Sequence, residues 1–386
     1  MRRRKARVAG VGSARAGSEK RVVALEGATL LRLLLFGFLF CRALYLSRPP
    51  APALKSAAQL ADLREAGRMA AAVLERLDRE ILPGVSTARL DAVARAFIEG
   101  ELGATAAPLH YGGLTGGLLR GYAAGEALCA VAHASAHMVS RAVWGGKPLP
   151  VPPLCGFPAS VCISINDVIA HGIPSEAAVL REGDLVNVDV TVRAASGAHG
   201  DTSKCWVVGA PPLDAPPSAG AGDAPAPDGL RRRRKLALVA REALWVGISA
   251  VRPGVTLGEV GAAIGQHIAD AGYSSVIAFV GHGIGSRFHE APAVRHAAGG
   301  PSAGVVLLSG MALTLEPMVN EGSPAVRIDA DGWTARTLDG RDSAQWEHTI
   351  AVSADGAEVL TLRPGEVPPL ISSRQRPRGG GPGVLT

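Results

Sequence analysis

The 386-residue sequence has no apolar run of the roughly 18 to 20 residues that a membrane-spanning helix needs. Its best candidate, Leu33 to Cys41, is nine residues long and lies between Arg32 and Arg42. Cysteines are few: Cys41, Cys129, Cys155, Cys162 and Cys205 are odd in number and contain no C-x-x-C pair. That excludes a disulfide framework or a thiolate zinc site and fits a reducing compartment. No H-E-x-x-H string occurs; His133 and His137 are four apart, but the glutamate is missing. The chain also lacks a basic body. The formal net charge is +6, yet residues 1–48 carry eleven Lys/Arg against Glu19 and Glu26, leaving the remainder near −3. A polyanion partner does not follow from such a distribution, and no nucleic-acid specificity is expected.

The first 50 residues read as a targeting segment. Met1 to Ser18 holds five Arg and one Lys with no acid, as in an organellar (mitochondrial or plastid) transit peptide. The apolar stretch after it fits a secretory h-region as well, and a misassigned start would leave the protein cytoplasmic. Arg48-Pro-Pro-Ala-Pro52 then reads as a linker. From Lys55, apolar residues recur at three- and four-residue steps (Leu60, Leu63, Ala66, Met69, Ala70, Val73, Leu74, Leu77), predicting an amphipathic helix. Pro83-Gly84-Val85-Ser86 ends it, and a second helix follows with Leu90, Val93, Ala94 and Phe97 inward and Ser86 or Thr87 as cap. Residues 112–154 and 210–230 are compositionally biased inserts, and 367–386 form an Arg/Gly/Pro tail. The folded domain is expected over 51–366. The basic run Arg231 to Lys235 precedes another helical pattern; because positive charge opposes the dipole at a helix N-terminus, it is expected to be solvated and set off from the helix.

Leu185-Val-Asn-Val-Asp-Val-Thr-Val192 alternates with period two and places Asp189 inside a strand. Burying a lone carboxylate there strongly disfavours its charged form. A short turn (194–197) leads to His199-Gly-Asp-Thr-Ser203, so a hairpin brings Asp189 and Asp201 together; they need a shared cation or a proton. Gly281-His-Gly-Ile-Gly285 is expected to hold His282 in a glycine turn, and Phe288-His-Glu-Ala-Pro292 supplies His289. Glu316 ends a strand stopped by Pro317, and Glu347 enters the next. Four carboxylates with a histidine suit hard or borderline divalent ions. Five ligands, two able to bridge, exceed the needs of one ion and favour two ions about 3.5 Å apart sharing a hydroxide.

The string Ser160 to Pro174 (SVCISINDVIAHGIP), with Leu185 to Ser203, GHGIG, FHEAP, TLEPM and SAQWEHT, closely resembles type I methionine aminopeptidases. The match spans roughly 55–111, 155–210 and 231–363. It implies the α/β pita-bread fold, with two pseudo-symmetric halves around a dinuclear centre of Co, Mn, Fe or Zn. By motif, Asp201 and Glu347 are expected to bridge the ions, Asp189 to chelate one, and His282 with Glu316 to hold the other. His171 and His289 are expected to contact the scissile peptide, and Glu316 to shuttle the proton. Tyr111, Phe157, Cys162, Phe288 and Trp333 are the expected pocket walls. The resemblance further implies a monomer that meets nascent chains beginning with Met, in transient association with the ribosome. Ala170 replaces a cysteine common in the family, and residues 112–154 separate Tyr111 from Gly156-Phe157-Pro158, which normally follow almost directly. No N-terminal zinc-finger region is present. The short His289-to-Glu316 interval argues against the type II branch. A metal-free interaction protein of the same fold would lack ligand carboxylates, and prolidases lack the HGIP and SAQWEHT strings.

Overall fold

A computed structural model describes residues 52–112, 156–214, 227–366 and 368–369. The targeting segment, nearly all of the 112–154 insert including His133 and His137, residues 215–226, and most of the tail lie outside the described residues. Four α-helices are described: α1 (Ala57–Leu77), α2 (Thr87–Ala96), α3 (Asp228–Ala250) and α4 (Leu257–Asp270), with a π-helical turn (Phe97–Glu101) closing α2. The strands of the first half are β1 (Thr105–Ala106), β2 (Cys162–Ile165), β3 (Val168–Ala170), β4 (Leu185–Arg193) and β5 (His199–Val207). After α4 come β6 (Ser274–Ser275), β7 (Gly281–Gly283), β8 (Glu290–Val294), β9 (Ala312–Leu315) and β10 (Met318–Asn320). The remainder are β11 (Val326–Ile328), β12 (Ala335–Thr337), β13 (Ser343–Gln345), β14 (Glu347–Val352) and β15 (Ala357–Val359).

One nine-stranded sheet runs in the order β1-β4-β5-β14-β9-β7-β8, with β2 also on β4 and β15 also on β14. Two three-stranded sheets, β13-β10-β6 and β11-β12-β3, flank it. The alternation in β4 decides its faces. Val186, Val188, Val190 and Val192 are fully buried in the cluster that packs against α1 and α2. Each such valine contributes about 1.5–3 kcal/mol by leaving water. Asn187, Asp189 and Thr191 therefore fall on the opposite face. On the other side of the fold, α3 and α4 pack with Leu313, Leu315, Trp346 and Ile350 in a second core.

The two helix pairs repeat one another. Pro83-Gly-Val-Ser86 joins α1 to α2, and Pro253-Gly-Val-Thr256 joins α3 to α4. Gly84 and Gly254 take φ values of 87° and 89°, a left-handed region that side chains avoid. Gly84 N donates to Leu180 O (2.8 Å) and Gly254 N to Leu307 O (2.9 Å), anchoring each turn to the segment before a ligand-bearing strand. Ser86 and Thr256 then cap the next helix through Arg89 N and Glu259 N. The sequence pattern of α1 holds: Ser56 makes a capping box with Gln59, and Leu63, Ala66, Ala70, Val73, Leu74 and Leu77 are buried.

Three expectations are corrected. The basic run is part of α3, not set off from it. Asp228 in the first turn pairs with Arg231, Arg232 meets Glu321 (2.7 Å), and Arg233 meets Asp342 (2.8 Å), so neighbouring acids offset the dipole's opposition. The 210–230 insert is shorter than its composition suggests: Leu213 and Asp214 are buried and 228–230 are helical. His282 lies in strand β7 rather than a turn.

Candidate metal centre

The β4–β5 hairpin pairs Asp189 with Ser203 and Thr191 with Asp201. The two aspartates are thus diagonal neighbours on one face, and β14 aligns Glu347 opposite Ser203 from the other side. Carboxylate oxygens of Asp189, Asp201 and Glu347 all lie within 4.8 Å of one another. His282 Nε2 stands 3.6 Å from Asp201 Oδ2 and 3.8 Å from Glu316 Oε1. All five expected ligands therefore share one place, contributed by β4, β5, β7, the end of β9, and β14.

Glycines on both sides of His282 are needed for close approach. A Cβ on residue 281 would come within 2.4 Å of Thr314 O, and one on residue 283 within 2.3 Å of Ala291 O. With bare backbone there, β7 slots between β8 and β9. His282 N donates to Thr314 Oγ1 (2.9 Å), and the same hydroxyl donates to Glu316 Oε1 (2.9 Å). His282 Nδ1 lies 3.0 Å from Gly283 O, an acceptor, so Nδ1 carries a hydrogen and Nε2 faces the acids. Thr191 Oγ1 holds Asp201 Oδ1 at 2.7 Å, and Gln345 Nε2 reaches Asp189 Oδ2 at 3.5 Å.

The electrostatics identify what this cluster requires. Burial, then repulsion from Asp201 and Glu316, pushes the Asp189 carboxyl well above its ordinary range. Burial, then Asp201, Asp189 and Glu316, does the same to Glu347. Glu316 is raised to about 7 by burial, with His282 pulling the other way. Burial works against the charged form of His282, but the surrounding carboxylates outweigh it and raise its pKa. Glu347 Oε1 is buried without a hydrogen-bond partner among the described residues. An orphaned carboxylate oxygen in a converging oxygen-and-nitrogen donor set fits divalent cations.

Beside the centre lie the remaining expected residues. Phe157, Cys162 and Ala159 form a small apolar cluster with Ile173 and Trp333. Phe157 and Trp333 meet edge to face at 5.5 Å, and His171 stands 6.4 Å from Trp333. Tyr111 contacts Phe288 (5.0 Å) and His289 (4.9 Å), and His289 stacks on Phe288 and lies 4.2 Å from His282. Tyr111 keeps its place because His110 N donates to Phe157 O and Phe157 N to Tyr111 O. Tyr111 and Phe157 are therefore neighbours despite the intervening insert. His171 adopts φ 55°, a strained conformation for a non-glycine residue and one concentrated at functional sites. Burial lowers its pKa, and burial with the nearby His282 lowers His289 to about 4. Burial and the neighbouring Asp189 hold the Cys162 thiol protonated.

Sequence reasoning did not single out His296. Its Nε2 accepts a hydrogen bond from Glu316 N (3.0 Å), fixing the backbone that presents Glu316. Gln345 lies within a quoted motif, whereas His296 offers no local signal.

This curled sheet with acids and an imidazole at its centre defines a metal-dependent hydrolase. Residues 61–354 match metallopeptidase family M24, and the chain belongs to that family. More particularly, it is 38% identical over 320 residues to the methionine aminopeptidase of Escherichia coli (strain K12), covering 83% of this chain and 97% of that one. It is 39% identical over 310 residues to methionine aminopeptidase A of Synechocystis sp., covering 80% and 97%. The crystal structure of methionine aminopeptidase from Rickettsia prowazekii superposes with a TM-score of 0.62 at 32% identity, covering 81% of this chain and all of that one. The fold is the pita-bread α/β architecture. Among the described residues, no helix is long and apolar enough to cross a membrane.

Proposed function

We propose that this chain hydrolyses the N-terminal methionine from nascent proteins whose second residue is small, using two divalent ions. Asp189, Asp201, His282, Glu316 and Glu347 would hold them. The observation that carries the reading is the convergence of Asp189, Asp201 and Glu347 oxygens within 4.8 Å, beside an apolar wall of Phe157, Cys162 and Trp333.

Bound divalent ions supply Lewis acidity, acidifying water and polarising the scissile carbonyl. The chain's own groups do the rest. Glu316, at the end of β9 beside the ions, would take a proton from water and return it to the leaving amine. His289 and His171, both with lowered pKa, offer neutral N–H donors to charge developing on the peptide. Phe157, Cys162, Trp333, Tyr111 and Phe288 bound a polarizable slot for an unbranched side chain. The working form is a monomer that meets nascent chains transiently at the ribosome. The basic segment 1–18 directs it to an organelle, which fusion of residues 1–50 to a fluorescent protein would test by its location.

Cleavage of Met-Ala-Ser, Met-Leu-Ser and an Xaa-Pro dipeptide tests the substrate reading. Release of methionine from the first alone is expected. Preference for the Xaa-Pro dipeptide would overturn it. Reconstitution of the metal-stripped chain with Co, Mn, Fe or Zn singly ranks the ions.

A further inference from the structure

We propose that the buried ion pair between Lys55 and Glu290 is a positioning device that sets His289 for the peptide. This inference rests on the reading above, in which His289 contacts the substrate. Lys55 precedes the first helix, yet its ammonium reaches 235 residues along the chain to Glu290 Oε2 at 2.6 Å. Both side chains are nearly inaccessible, at 7% and 10% exposure. A buried pair of this kind is a weak stabiliser overall, because desolvation offsets the attraction, but it fixes geometry strongly once formed.

What it fixes is the rim of the site. Lys55 is pinned by its own backbone, N donating to Gly310 O at 2.8 Å. Glu290 is the residue after His289, and its second oxygen accepts from Arg287 N at 3.2 Å. The carboxylate therefore clamps the Arg287-to-Glu290 turn that projects Phe288 and His289. The same pair lies against the GHGIG segment: a Cβ on Gly285 would meet Lys55 Nζ at 2.3 Å and Glu290 Oε1 at 2.5 Å. From that segment, Gly285 O accepts from His199 N (3.0 Å) and faces His199 Nδ1 (3.0 Å), tying the loop to the β5 end of the Asp201 strand. One lysine from the start of the fold thus couples both histidine-bearing motifs.

The test is a double-mutant cycle in the full chain, with K55M, E290Q and the double variant assayed on Met-Ala-Ser. Each single variant should lower kcat about tenfold with KM nearly unchanged, as expected when a donor is misplaced without loss of binding surface. The double variant should lose no more than the worse single variant, because the two residues act as one unit. Unchanged kcat in both singles, losses that multiply in the double, or losses that follow metal content would overturn the proposal. E290Q is nearly isosteric and keeps the comparison open if K55M fails to fold. If the unmodified chain leaves Met-Ala-Ser intact, the substrate reading falls. The His289 ring resonances, assigned with H289A, then decide this inference: a shift in E290Q supports it and an unmoved signal refutes it.

Discussion

The two halves of the fold share a scaffold and divide the chemistry. Each has a helix, a Pro-Gly-Val turn with a left-handed glycine, a capped second helix, and a strand that carries a candidate ligand. The first half sets its acids on a long hairpin, β4 and β5, each nine residues. The second half uses the three-residue β7 and the four-residue β9, and supplies the imidazole. Long ladders set Asp189 and Asp201 by register, with Thr191 and Gln345 adding one side-chain hydrogen bond to each carboxylate. Short strands need additional hydrogen bonds, so His282 and Glu316 rely on Thr314 and His296. Repetition of the frame therefore does not extend to the donors or to how they are held.

The largest expected effect comes from neutralising Asp201, whose carboxylate faces both Asp189 and His282. Asp201→Asn should lower kcat/KM by about a thousandfold or more, since the loss of charge forfeits several kcal/mol at the centre. Turnover within a few-fold of the unmodified chain would break the division described above. Next, His289→Ala and His171→Ala should each reduce kcat by roughly a hundredfold, the usual cost of one oxyanion donor. Steady-state kinetics would show whether KM stays put.

Smaller changes sharpen the contrast between the halves. His296→Ala and Thr314→Val should each weaken metal binding by about 10- to 100-fold, as measured by titration calorimetry. A weaker effect from Thr191→Val would confirm that the hairpin holds its acids through register. Metal affinity should also depend on pH. Glu316 binds its proton up to about pH 7, so the ion must displace that proton below pH 7 and need not above it. Apparent affinity should rise about tenfold per pH unit for each proton displaced, and less steeply above about pH 7, where Glu316 no longer contributes one. In Glu316→Gln the slope should drop by one proton. The smallest effect tests the frame itself. Gly84→Ala and Gly254→Ala meet no atom within 4 Å, so each should cost only the left-handed strain, about 1–2 kcal/mol, and by similar amounts. Unequal losses in chemical denaturation would argue against equivalent turns.

Much of this was legible in the sequence, for identifiable reasons. The β-branched alternation of 185–192 fixed which residues face the site, so Asp189 was readable from period alone. The glycines around His282 misled because glycine more often marks a turn; here they permit a strand to pack tightly between two others. Arg232 and Arg233 were read as solvated because their partners, Glu321 and Asp342, are remote in sequence. Lys55 and His296 left no local trace for the same reason: a side chain's role is set by what the fold brings to it. Tyr111 and Phe157 enter as expected pocket walls only through family resemblance, and backbone hydrogen bonds make them neighbours.

Anomalous diffraction from crystals grown with Mn tests the central claim most directly. The account predicts two peaks about 3.5 Å apart, bounded by Asp189, Asp201, His282, Glu316 and Glu347. A site empty at saturating Mn, or ions bound away from those five side chains, would contradict it.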